Sequence, residues 1–285
     1  MLKDYRLSIA IPIALLILSI LLIGFKGIPK SIDITGGTEI TIKVDKDIDI
    51  TPLKESLNGI ADVKKLKSAD GYYIVIRCKN KDINIVKQKI KEFFHVDSLD
   101  KLNYSEKTIG ATLSSKFFEE GLKAIGFAFI FMAIVVFIYF RNPVPSGTII
   151  LCALSDLIVT LGAMSLFNIE LSSATIAALL MVIGYSVDSN ILLTTRVLKR
   201  LTKSFDETVK DAMKTGLTMT LTTISAMTVL LIVVKLFIPI AYILANIATV
   251  LILALIADII NTWLLNAGIL RYYITEYKAK KKSYI

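Results

Sequence analysis

Two neighbouring apolar runs, each with an aspartate inside it, constrain this chain more than any other feature. The stretch from Leu151 to Arg200 reads as two adjacent apolar helices, LCALSDLIVTLGAMSLF with Asp156 and LSSATIAALLMVIGYSVDSNILLTTR with Asp188. A carboxylate in the hydrocarbon core costs about 2.5–3.5 kcal/mol on insertion scales. Two on adjacent spans need a protein partner, a water-filled cavity or a function to hold them there. Both are therefore functional-site candidates.

Composition supports a membrane chain with one polar domain. Hydrophobic residues make up 54% of it and mean hydropathy is +0.66, yet charged residues still reach 20%. The net charge of +9 sits mostly at the ends of apolar runs, which points to membrane orientation and away from nucleic acid. Cys78 and Cys152 fall in different segments and form no disulfide or metal pattern. His95 is the only histidine, which excludes a histidine-based metal site or triad. No cofactor and no enzymatic activity are expected.

In chain order, Leu7–Phe25 is long enough to cross ~30 Å of hydrocarbon. It exceeds a signal-peptide core and lacks a small-residue cleavage site, so a retained first span is expected. From Gly27 to Glu120 the character turns polar. Thr38–Val44 alternates as a strand; Thr51 caps a short helix with Pro52 at its first position. Ala61–Ser68 is a second strand, and an Asp70-Gly71 turn leads into a third at Tyr72–Lys79. Asp82 caps a second helix with Ile83, Val86, Ile90, Phe93 and Phe94 on its apolar face, and an extended piece follows over Val96–Glu106. Strand, helix, strand, strand, helix, strand is the ferredoxin-like βαββαβ order.

Five more apolar runs follow: Leu122–Phe140, Pro145–Phe167, Ser172–Thr195, Leu217–Phe237 and Pro239–Leu265. Lys3, Arg6, Arg141, Arg196, Lys199, Arg200, Lys203, Lys210, Lys214, Arg271, Lys278, Lys280, Lys281 and Lys282 all fall on one side. Only Glu170 and Lys235 mark the short joints opposite. The positive-inside rule then puts both termini in the cytoplasm and the polar domain outside. The expected organisation is residues 1–26 as the N-terminus and first span, 27–120 as an external α+β domain, 121–270 as five further spans and 271–285 as a basic cytoplasmic tail.

Within the spans, polar or small residues recur at helical spacing. Span three carries Cys152, Asp156, Thr160 and Ala163; span four carries Ser173, Ala177, Gly184, Asp188 and Thr195; span six carries Ala254, Asp258, Asn261, Thr262 and Asn266. Small residues allow close helix approach, so the stripes are expected to face one another or another helix. Asp156 lies near mid-span, while Asp188 and Asp258 lie nearer the cytoplasmic ends. Arg196 reads either as a partner of these carboxylates or as a membrane anchor, and Asp258 as either functional or interfacial. Burial and a nearby arginine act on a carboxyl in opposite senses. A group balanced between them binds and releases a proton, a charge movement worth about 2.3 kcal/mol per 100 mV.

Gly27–Ile40 (GIPKSIDITGGTEI), with Asp33, Gly36, Gly37 and Thr38, resembles the Asp-x-x-Gly-Gly-Thr signature that opens the external domain of the SecF family. Thr108-Ile109-Gly110 resembles its Val-Gly-Pro element, Leu154-Ser155-Asp156 its Leu-His-Asp, and Ile183-Gly184-Tyr185-Ser186-Val187 its Ile-Gly-Tyr-Ser-Val. The resemblance covers nearly the whole chain. It implies a membrane α-helical bundle of six transmembrane helices, half of an RND-type transporter, with the ferredoxin-like domain inserted between helices one and two. It also implies a SecD partner, the SecY translocon, exported unfolded polypeptide and membrane lipid as surroundings, and proton coupling through Asp156 and Arg196.

Departures from the pattern bear on that coupling. Ser155 replaces a histidine, Ala111 a proline, and Asp188 is shifted one position, about 100° around its helix. With Asp258 in span six, the pattern looks more like archaeal members. Three rivals stand beside it: half of an RND-type small-molecule or lipid exporter, a structural translocon subunit without ion coupling, and an intramembrane aspartyl protease, whose Tyr-Asp and Gly-x-Gly-Asp motifs are not those seen here.

Overall fold

The first helix, α1 (Tyr5–Lys26), leads out of the apolar bundle into a small sheet. The computed structural model describes residues 5–68, 71–199 and 204–277. After α1 come a single turn, α2 (Ile32–Thr35), then β1 (Gly37–Val44), α3 (Thr51–Ser56), β2 (Ala61–Ser68), β3 (Gly71–Cys78), α4 (Ile83–Phe94) and β4 (Asn103–Ile109). The helices α5 (Ala111–Phe140), α6 (Pro143–Phe167), α7 (Ser173–Lys199), α8 (Phe205–Phe237) and α9 (Tyr242–Ile260) follow. A π-helical turn over Asn261–Asn266 then joins α9 to α10 (Ala267–Tyr272).

The strands form one antiparallel sheet in the order β2-β3-β1-β4, which is the ferredoxin-like topology. Strand alternation separates its faces. Ile40, Ile42, Ile74 and Ile76 point to α3 and α4, where Leu53, Leu57, Val86 and Ile90 complete an apolar core. Glu39, Thr41 and Arg77 lie on the other face, paired across the register as Glu39 with Arg77.

Local details differ from the sequence reading. Thr51 does not cap α3: the Asp49 carboxylate accepts from the Thr51 amide at 2.9 Å and its hydroxyl at 2.6 Å, because the aspartate reaches the helix start from two residues upstream. Asp82 precedes α4 without a capping bond, since a 3-10 turn over Asn80–Asp82 already leads into the helix. The last strand pairs over Asn103–Ile109, where β1 offers an edge, and not from Val96. Asp70 of the expected turn, and Lys3, Arg200, Lys203, Lys278, Lys280, Lys281 and Lys282 of the charge pattern, lie outside the described residues.

Among the described residues, six helices are long and apolar enough to cross a membrane: α1, α5, α6, α7, α8 and the continuous run Pro239–Thr275. They are not equivalent. The most apolar part of α6 is 61% buried against 6% for α5 and 11% for α8, so α6 is the axis of the bundle. At Gly162 it touches α1 so closely that an added Cβ would sit 2.5 Å from Ser19 Cβ. Small residues at such crossings replace the hydrophobic drive that lipid removes.

Candidate functional site

Asp156 is completely buried at the centre of α6, and its carboxylate ties three helices together. Oδ2 accepts from the Ser186 hydroxyl of α7 at 2.5 Å, and Oδ1 accepts from the Asn261 amide at 2.5 Å. Asn190, one turn beyond Ser186, donates to the Ser186 carbonyl at 2.8 Å; its own Oδ1 accepts from Asn266 at 2.7 Å. Asn266 also approaches the Thr194 hydroxyl at 3.3 Å. The interior of the bundle thus holds a polar seam running between α6, α7 and the end of α9.

The π-helical turn makes the seam possible. Residues five apart rotate by about 140° in an α-helix. The i→i+5 bonding of a π turn stacks them instead, so Asn261 and Asn266 both face α6 and α7. Asp258 enters the seam from the turn above. It is 2% exposed, accepts from Thr262 at 2.9 Å, and lies beside Ser186 and Ser189 and within electrostatic reach of Asp156. Asp258 is thus held inside the bundle, away from its lipid-facing surface.

Asp188 and Arg196 stand elsewhere. The expected stripes do not all meet: those of α6 and α9 face inward, whereas Gly184, Tyr185 and Asp188 of α7 lie on an exposed face. An added Cβ at Gly184 meets nothing within 4 Å. Ser186, on the opposite side of that helix, is the member of the motif that reaches Asp156. Arg196 donates to the Asp211 carbonyl of α8 at 2.8 Å, and neither donor to the Asp156 carboxylate comes from it.

The Gly-Gly signature forms a second centre where the sheet meets the bundle. Gly36 (φ 72°) and Gly37 (φ 148°) adopt conformations that favour glycine, and a Cβ at Gly37 would lie 2.7 Å from the Cys78 carbonyl. Thr38 is buried and pairs with Asn80 and Thr108, both at 2.9 Å. Asp33 accepts from Lys107 at 3.0 Å and from Ser173, the first residue of α7, at 3.1 Å.

Beside it, four residues that sequence reasoning did not bring together form a cluster. Arg77 donates from Nε to Glu39 at 2.6 Å and from Nη1 to Glu170, in the α6–α7 joint, at 2.5 and 2.6 Å. Tyr242, the first residue of α9, donates to Glu39 at 2.8 Å, and its ring lies 4.9 Å beneath the Arg77 guanidinium. Burial alone would pull the Arg77 guanidinium down; the charge of Glu170 and the bond to Glu39 more than reverse this and hold it above its usual range.

Residues 88–276 match the family described as protein export membrane protein SecD/SecF, C-terminal, and residues 21–48 match the SecD/SecF GG motif. The protein-export membrane protein SecF of Methanocaldococcus jannaschii is 88% identical over 99% of this chain and 100% of its own length. The chain belongs to the SecF family. The SecF of Methanothermobacter thermautotrophicus is 44% identical over 96% of this chain and 94% of its own length. Among solved structures, the crystal structure of SecDF, a translocon-associated membrane protein from Thermus thermophilus, superposes with a TM-score of 0.73 at 20% identity. It covers 95% of this chain, which spans 38% of that SecDF chain. The SecF fold is therefore that of a multi-pass membrane protein, and the seam and the Gly-Gly centre both lie within the matched residues.

Proposed function

We propose that this chain assists the export of unfolded polypeptide together with a SecD partner at the SecY translocon, driven by the proton gradient through its buried carboxylates. The observation that carries the reading is Asp156, fully buried and hydrogen-bonded to donors from two other helices. An ionised carboxylate accepts only, while a protonated one also donates. Proton uptake at Asp156 turns one of its oxygens from acceptor to donor, so Ser186 of α7 or Asn261 of the π turn must pair anew, shifting the helix it belongs to.

The exposed face of α7 supports the SecD partner. Gly184 offers close backbone approach and Asp188 a charge, features that fit a second transporter half better than acyl chains. Asp188 would then meet groups of the partner, and Arg196 would fix the cytoplasmic end of α7 against α8. The charge bias supports a cytoplasmic position for both termini and an external one for the sheet domain.

The test is export into inverted membrane vesicles, with and without an imposed proton gradient, for the wild type and Asp156→Asn. Loss of the gradient-dependent part of export in the variant is the expected result. Full gradient stimulation in Asp156→Asn would overturn proton coupling at this residue and leave a structural translocon subunit.

A further inference from the structure

Two helices supply the donors to the Asp156 carboxylate: α7 through Ser186 and the α9 run through Asn261. The same two helices are held at their opposite ends by the sheet domain. Arg77 of β3 binds Glu170, three residues before the start of α7 at Ser173, and it stacks on Tyr242, the first residue of α9. Glu39 of β1 accepts from both Arg77 and Tyr242. Asp33 adds a second hold on α7 through Ser173. The α6–α7 joint is also bonded backbone to backbone to the strand-like linker after α1: the Ser31 amide donates to the Leu171 carbonyl at 2.9 Å, and the Leu171 amide to the Pro29 carbonyl at 2.7 Å.

We infer that Arg77 is a positioning residue that links the sheet domain to the buried carboxylates, with α7 and α9 as the two rods. From Ser173 to Ser186 is about 20 Å of α-helix, and from Tyr242 to Asp258 about 24 Å. Helices of that length move as units, so a shift at one end reaches the other with little loss. Arginine suits the junction because its planar fork engages two carboxylates in fixed directions while its face rests on an aromatic ring. Lysine keeps the charge and loses both the fork and the stacking. The cluster draws one residue from each of four segments remote in sequence, β1, β3, the α6–α7 joint and α9, and thus joins the domain to both rods at one point.

The inference rests on the proposed coupling at Asp156 but is tested independently of export. Amide hydrogen exchange is measured on the full chain in lipid nanodiscs, at fixed pH, for the wild type, Asp156→Asn, Arg77→Lys and the double variant. The reporters are the Ser31 and Leu171 amides, which bond across the junction. Linkage is reciprocal. Asp156→Asn should therefore change exchange at these two amides by about fivefold or more, the lower end of ordinary coupling between sites. In the Arg77→Lys background the same substitution should change it less than about twofold.

The strand amides of Ile40 and Ile76 serve as the control for folding. Should Asp156→Asn loosen them, Asp258→Asn takes its place. Equal exchange at the junction in the wild type and the carboxylate variants overturns the link. So does a response that survives undiminished in Arg77→Lys. A junction that responds while export ignores the proton gradient instead overturns the proposed function and leaves the link standing.

Discussion

The sheet domain and the helix bundle solve opposite solvent problems with one chain. In the sheet, Ile40, Ile42, Ile74 and Ile76 are fully or almost fully buried, and charged residues such as Lys64 and Lys65 lie towards water. In the bundle the order is reversed. Asp156, Asn190, Asn261, Thr262 and Asn266 have no exposure at all, while Phe131, Val135 and Ile138 of α5 are more than half exposed. Water drives apolar groups together in the first region. Lipid offers no such drive in the second, so polar pairing and close backbone contact define its interior. The difference teaches where to look for chemistry: in the sheet domain a buried charge is the exception, and the buried carboxylates among the described residues, Asp33 and Glu39, both bond to the bundle.

The comparison can be broken most directly by truncating the apolar side. Ile76→Ala should destabilise the sheet domain by about 2–5 kcal/mol through lost burial and a residual cavity. Val135→Ala, at a residue that is 61% exposed, should stay within about 0.5 kcal/mol. Urea-pulse proteolysis of the full chain in detergent, with cleavage mapped to residues 37–109 and 111–140, reads both. Similar costs at the two sites would show that the contrast is false.

Removing a hydroxyl tests the polar side. Ser186→Ala deprives a buried carboxylate of a donor and should cost the bundle about 1–3 kcal/mol. Lys65→Ala breaks the ion pair to Asp47 on the sheet surface and should cost about 0.2–1 kcal/mol. Trp263, the only tryptophan, sits in the π turn beside the seam and reports the Ser186 variant by fluorescence. A Ser186→Ala bundle as stable as the wild type would mean that the seam contributes little to packing.

The smallest expected effect sharpens the view of the sheet core. Burial first, and then the charges of Asp82 and Glu106, push the Cys78 thiol up. Because the folded value lies above the unfolded one, its stabilising contribution is complete below about pH 8.5 and fades as pH rises through the folded value. Maleimide labelling at pH 8, resolved by peptide mapping, should be slower at Cys78 in the folded protein than in urea, and the domain should weaken only in alkali. Equal labelling rates would show that the core admits solvent.

Much of this architecture was legible in residue pattern. Apolar runs gave six helices, and period-two alternation with turn signals gave the strand order, because both follow from local spacing. Asp156 stood out because a carboxylate at mid-span depth needs buried partners, which it finds in Ser186 and Asn261. The rest depended on geometry that spacing does not carry. The burial of Asp258 beside α7 could not be read from its place near the end of a span. Asn266 joins Asn261 only through a π turn, which no 3.6-residue periodicity anticipates. The phase of α7 decided that Ser186 points inward and Asp188 outward, although both lie in one motif. The Arg77 cluster was invisible for a different reason: Arg77 and Glu170 are 93 residues apart, and Glu39 and Tyr242 are 203 apart. One-turn α2 was missed because four residues are too few to show a period.

The π turn also sets the angular register of everything after it. One residue more or less in that turn would rotate α10 by about 100°, carrying Leu270 out of its buried seat and swinging Arg271 away from the Phe205 ring. The carboxy-terminal end of the last helix is therefore indexed to the polar seam like a key to its lock. An insertion or deletion between Asp258 and Asn266 would be felt first at the far end of the helix.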